Sequence, residues 1–133
     1  MLREDGIVMD DGTTTRISKI HYHMTATTAQ AVNVLSHLEY YLQVVWPELK
    51  VNVLSTTEQW AGVALAGPKS RDVLVKLFPD LDVSNETLPF MGHTEGNLFG
   101  IKAKIFRISF SGELAYEINV ESNYGLFMWE KIM

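Results

Sequence analysis

Two places in the chain hold carboxylates in settings that could do chemistry. The first is Asp10-Asp11, followed by Gly12. Adjacent carboxylates repel, and one of a pair that is partly buried takes a raised pKa. Such a group can hold or accept a proton while an amine attacks an electrophile. An Asp-rich turn capped by its own side chains is the other reading, because Asp-Gly tolerates the positive φ that tight turns need. The second place is the segment around Ser111-Gly112. If this is a two-residue hairpin turn, Phe110 faces Glu113, Ile108 faces Ala115 and Phe106 faces Glu117. Alternation then gathers Phe106, Ile108, Phe110, Glu113, Ala115 and Glu117 on one side. Two rings, an apolar floor and carboxylates suit a flat heterocycle with N–H donors along one edge. A second buried face with a glutamate at its margin is the alternative, and a slip of one residue would part Glu117 from Phe106 and Phe110.

Other candidates are weaker. His21 and His23 share a strand face, but a metal needs a third ligand, and neither His37 nor His93 stands at a recognised spacing from them, so no metal site is expected. Gly92, Gly96 and Gly100 form no phosphate-binding loop, no serine sits in a nucleophile elbow, and no nucleotide fingerprint announces a flavin or NAD site. Asn85-Glu86-Thr87 has the form of a glycosylation acceptor, with nothing else in the chain that implies secretion.

The elements that must position these residues alternate in pattern. Gly6–Met9, the Asp10-Asp11-Gly12 turn and Thr13–Ile17 read as strand, turn, strand, and His21–Thr25 as a further strand. Thr27-Thr28-Ala29-Gln30 matches a capping box. The helix it opens carries Val32, Leu35, Leu38, Leu42 and Val45 on one face and stops before Pro47. Lys50–Val53 alternates like a half-buried strand, and Trp60–Ala66 reads as a strand covered on both faces. Gly67-Pro68 begins a helix with Val73, Leu74, Leu77 and Phe78 on its buried side. Residues 80–97 read as irregular. Ile101–Phe110 and Glu113–Val120 form the hairpin, whose other side (Ile105, Leu114, Tyr116, Ile118, Val120) looks like core. Asn123 caps a last helix with Tyr124, Phe127, Met128 and Ile132 on its apolar side. The order predicts an α+β fold, antiparallel sheets with helices on one side.

Composition agrees with a core-forming protein of 133 residues, the length of a single domain: 47% hydrophobic, 20% charged, net charge −5. The cations are scattered, so no nucleic-acid partner is expected. No apolar run approaches the roughly 20 residues of a membrane span, so no membrane partner is expected either. There is no cysteine, which excludes disulfides and thiolate chemistry and fits a cytoplasmic location.

Five segments in register carry a family resemblance: Met9–Gly12, Met24–Thr28, Thr57–Ala61, Ala66–Leu74 and Phe110–Ile118. Together they resemble the aminomethyltransferase (T-protein) family of the glycine cleavage system, whose relatives include dimethylglycine oxidase and the sarcosine oxidase α subunits. The Thr-rich run and Thr57-Glu58-Gln59-Trp60 are particularly similar to the sarcosine oxidase α subunit. The resemblance implies tetrahydrofolate binding and transfer of a one-carbon unit to it from oxidised sarcosine. It assigns Asp11 as the catalytic aspartate that orients the folate amine, and Glu117 as the glutamate that accepts from the pterin edge. It also places Phe110, Thr27 and Thr15 in the folate site, where the T-protein has tyrosine, asparagine and tyrosine; these departures weigh against T-protein activity as such. Family members extend beyond both ends of this sequence, which implies a partial domain, inactive in isolation and partnered by other sarcosine oxidase subunits or by itself. A non-catalytic interaction module and a T-protein-like aminomethyltransferase are the alternatives.

Overall fold

The computed structural model describes residues 1–133. The chain forms two compact units, Met1–Ser55 and Thr56–Met133.

In the first unit, β1 (Thr14–Arg16) pairs antiparallel with β2 (Tyr22–Met24), with Thr15 opposite His23. Beyond the ladder the Thr25 N–H donates to the Thr13 carbonyl at 2.9 Å, and the two threonine hydroxyls meet at 2.9 Å. The Asp10–Gly12 segment therefore precedes the hairpin rather than turning it; the turn lies at Ser18–Ile20. Residues 6–9 contribute only a single bridge, Leu2 with Val8. Helix α1 (Ala31–Tyr40) continues as a π-helical turn over Tyr41–Val45 and ends before Pro47, as the proline requires. It starts later than the capping box predicts. Gln30 is the N-cap and makes no side-chain cap bond, and the Thr27 hydroxyl of the expected capping box is bonded to Asp10. Val34 is the residue this helix buries, with Leu35, Leu38 and Leu42 half-buried, while Val32 and Val45 are exposed. Lys50–Val53 pairs with nothing and is exposed.

The second unit holds the main core. Its sheet runs β3 (Trp60–Ala66), β6 (Ala115–Glu121), β5 (Ile101–Phe106), β4 (His93–Leu98), antiparallel throughout. Helices α2 (Ser70–Leu77) and α3 (Gly125–Ile132) cover one face. On that face Ile105, Tyr116, Ile118 and Val120 are fully buried against Leu74, Phe78 and Met128. The α+β class and the one-sided helices match the expectation. Trp60–Ala66 is a strand as predicted, but it is covered on one face only: Gly62, Ala64 and Ala66 are exposed.

Two local departures have physical causes. β4 lies where irregular chain was expected, because His-Thr-Glu-Gly-Asn-Leu is polar and contributes one buried side chain, Leu98. Its turn to β5 uses Phe99 (φ 51°) and Gly100 (φ 96°), the two positive φ values of a type I′ turn, with a phenylalanine where asparagine or glycine is usual. The β5–β6 hairpin has the predicted register, Phe106 opposite Glu117, but it opens beyond that pair. Arg107 continues the pairing of β5 along its β4 edge, its N–H donating to Gly92 O at 2.9 Å and its carbonyl accepting from Met91 at 2.8 Å. The Leu114 carbonyl accepts from Gly67 N–H at 2.9 Å and from the Ser70 hydroxyl at 3.0 Å. Both strands keep their outer neighbours a residue further while the β5–β6 ladder stops, and Arg107–Leu114 becomes a loop.

Truncating Ile118 to alanine removes a fully buried side chain from the central strand and is expected to cost about 2–5 kcal/mol. Val32→Ala, on the helix face the sequence marks as apolar, is expected to stay within about 0.5 kcal/mol. Urea unfolding of both variants checks the assignment of the core.

Candidate functional site

In the first unit the two aspartates have separate duties. Asp10 is buried, and its carboxylate accepts from the Thr27 hydroxyl at 2.7 Å and from the Thr27 N–H at 3.2 and 3.4 Å. The Thr27 hydroxyl, above all, holds the Asp10 carboxyl below the usual carboxylate range; backbone N–H groups of Thr27, Gly12 and Asp11 act the same way, and burial opposes them. This corrects the expectation that the partly buried member of the pair would be raised: the donors outweigh desolvation. Asp11 is exposed, so the pair divides into an anchored carboxylate and a presented one. Gly12 permits the arrangement, since a Cβ there would collide with the Thr25 carbonyl. Thr27 thus spends its hydroxyl on Asp10. Thr15 is half-buried on β1, opposite His23.

In the second unit, the sheet face opposite the helices carries the polar residues. One cross-strand row runs Ala64, Glu117, Phe106, His93, and the next runs Gly62, Asn119, Lys104, Glu95. Glu117 is half-buried, and burial alone pushes its carboxyl above the usual range; no charge or donor offsets it. The ring of Phe106 lies 5.2 Å from that of His93. Burial pushes the His93 imidazole down, with Glu95 opposing and Lys104 reinforcing the shift. The Lys104 ammonium is also lowered by burial, which Glu95 opposes, and lies 4.1 Å from the Trp60 ring centroid. His93 Nε2 and Asn119 Nδ2 are buried without hydrogen-bond partners.

The structure therefore brings together Asp10, Asp11 and Thr27 in one unit, and Glu117 and Phe106 in the other. It does not pair Phe110 with Glu113: Phe110 stands at the tip of the opened loop, 98% exposed. Asn119 escaped the sequence reading, and His93 entered it only as a possible metal ligand. Strand alternation from Glu117 could have found Asn119, whereas His93 needed the unpredicted β4. An open cavity of about 380 Å³ beside β4, lined by Phe78, Asp80, Leu81, Glu95 and Lys102 among others, contains none of the predicted site residues. No group of three histidine or carboxylate side chains is arranged around a metal position, and no helix is long and apolar enough to cross a membrane.

The mixed fold is that of an aminomethyltransferase-like module: the chain belongs to the GCVT N-terminal domain family, whose model matches residues 1–133. Among its relatives it is 51% identical over 127 residues to the sarcosine oxidase subunit alpha of Rhizobium meliloti (strain 1021), covering 94% of this chain and 13% of that one. The sarcosine oxidase subunit alpha of Corynebacterium sp. (strain P-1) is 51% identical over 133 residues, 99% of this chain and 14% of that one. An aminomethyltransferase of Thermoanaerobacter sp. (strain X514) is 26% identical over 133 residues, 100% of this chain and 34% of that one. The chain thus spans about a seventh of the length of the sarcosine oxidase relatives.

Because Asp10's pKa is lowered on folding, its contribution to stability is present above the ordinary aspartate range and is lost as pH falls through the lowered value. Thr27→Val removes the strongest donor. Its expected result is an Asp10 titration, followed by carboxyl ¹³C shifts, that moves up toward the usual range. The variant should be less stable than wild type near neutral pH and lose less stability on acidification, since Asp10 then contributes less to the pH dependence.

Proposed function

We propose that this chain is the folate-binding module of a sarcosine oxidase α-type subunit, passing the one-carbon unit of oxidised sarcosine to tetrahydrofolate. The observation that carries the reading is Glu117, a half-buried carboxylate with no donor of its own on a polar sheet face. A buried carboxylate without donors is costly, and a pterin edge supplies two, its ring N–H and its exocyclic amino group. The 51% identity to sarcosine oxidase α subunits over nearly the whole chain supports the choice of oxidase over T-protein.

In this reading tetrahydrofolate supplies the nucleophilic amine and carries the carbon away. Glu117 fixes the pterin, and Asp11 orients the attacking amine and receives its proton as the carbon–nitrogen bond forms. Asp10, held by Thr27, keeps the Asp11 backbone in place. The family resemblance also assigns folate contacts to Thr15 and to Phe110, the latter through its ring alone. The module works within a larger oxidase assembly, in the cytoplasm.

A second reading, an interaction module without a catalytic role, is favoured by α3, where Leu126 is 71% and Trp129 50% exposed. The two readings differ in folate binding. Titration with folinic acid, followed by NMR, is expected to give a dissociation constant about 10–100-fold weaker in Glu117→Ala than in wild type, the worth of hydrogen bonds to a charged group. Glu86→Ala, an exposed carboxylate on the α2–β4 connection, is the control and should match wild type. Binding equally tight in Glu117→Ala would remove Glu117 from the site, and no binding to wild type would favour the interaction module.

A further inference from the structure

β6 presents Glu117 and Asn119 on the same face of the sheet, two residues apart and therefore separated by about 7 Å along the strand. Asn119 is an anomaly there. Its Nδ2 is buried and donates to nothing, although a buried amide donor is normally paired. The position of the amide is built into the sheet. Its partner on β3 is Gly62, and a Cβ at that residue would stand 2.6 Å from Asn119 Oδ1, so only glycine lets the amide oxygen lie against β3. Its partner on β5 is Lys104, whose ammonium reaches the Trp60 ring on β3. Since β6 lies between β5 and β3, the Lys104 stem crosses β6 on the Glu121 side of Asn119. The Glu117 side remains.

A carboxylate beside an amide N–H reads acceptor, acceptor, donor. A 2-amino-4-oxopyrimidine edge reads the complement: exocyclic amino donor, ring N–H donor, oxo acceptor. We propose that Asn119 is a specificity-determining residue of the folate site, donating from Nδ2 to the 4-oxo oxygen of the pterin while Glu117 accepts from the adjacent ring N–H and 2-amino group. This inference rests on the folate reading of Glu117 above and adds to it a preference for 4-oxo over 4-amino rings. A 4-amino ring sets a donor against the Asn119 donor and, having no ring N3–H, an acceptor beside the Glu117 carboxylate, which is how a hydrogen-bonding site rejects a near-isostere.

Folic acid and aminopterin, which carry an oxo or an amino group at position 4 and differ with it in the presence of the ring N3–H, are the probes, and Asn119→Ala separates the position-4 contact from the N3 contact to Glu117. With the full chain, folic acid is expected to bind at least about tenfold tighter than aminopterin. In Asn119→Ala folic acid should weaken by about tenfold, with aminopterin itself within about twofold of its wild-type value. A second measurement needs no variant: in ¹⁵N-labelled wild type, the Asn119 side-chain amide resonances should move on adding folic acid and stay in place with aminopterin. Equal weakening of both ligands in Asn119→Ala, or an unmoved Asn119 amide with folic acid bound, overturns the inference and leaves the folate reading intact. Failure of wild type to bind folic acid or folinic acid overturns both.

Discussion

β6 is hydrogen-bonded along both edges, to β3 over residues 115–121 and to β5 over residues 117–120. A strand held on both sides cannot rotate about its axis, so the side-chain period of two becomes absolute. Tyr116, Ile118 and Val120 must enter the core beneath α2 and α3, and Glu117 and Asn119 must face the other way. A slip of one residue would drive a carboxylate and an amide under two helices while exposing three fully buried side chains. The burial of the core thus fixes the position of the polar groups, and their chemistry follows from what the core requires.

Glu117 bears a cost for its place. Its raised pKa means that the ionised form opposes folding: the penalty is absent below the ordinary glutamate range and grows as pH rises through the raised value. A fold retains such a group only where something else gains from it. The Asp10–Thr27 contact has the opposite sense. There the donors more than offset burial, and the charge supports the local structure. Of the carboxylates considered as site residues, one is a fastener, one is presented to solvent, and one is held at a cost in a polar face.

Much of this was legible in the chain of residues. The alternation after Gly112 predicted both faces of β6, and the register that sets Phe106 opposite Glu117 followed from counting back from the Ser-Gly pair. The buried side of α2 was equally plain, because apolar periodicity there is strong, whereas the uniformly apolar Trp60–Ala66 marked a strand but not its exposed face. What stayed hidden depended on contacts distant in sequence. The end of the β5–β6 ladder at Phe106 and Glu117, beyond which Phe110 is exposed, has no local signal. β4 is polar and turns through an unusual Phe-Gly, so neither propensity nor turn chemistry marks it. Thr27 looked like a helix cap because its spacing to Gln30 fits one; only the fold brings Asp10, seventeen residues earlier, within reach of its hydroxyl.

The central claim is that the donors missing from Glu117 arrive with a ligand. Its most direct test is the Glu117 carboxyl titration, followed by ¹³C NMR in the free chain and with saturating folinic acid. N–H donors favour the charged form, so the account predicts a raised pKa in the free chain that falls on addition of the ligand. A Glu117 pKa that stays where it was, with folinic acid demonstrably bound, would contradict it.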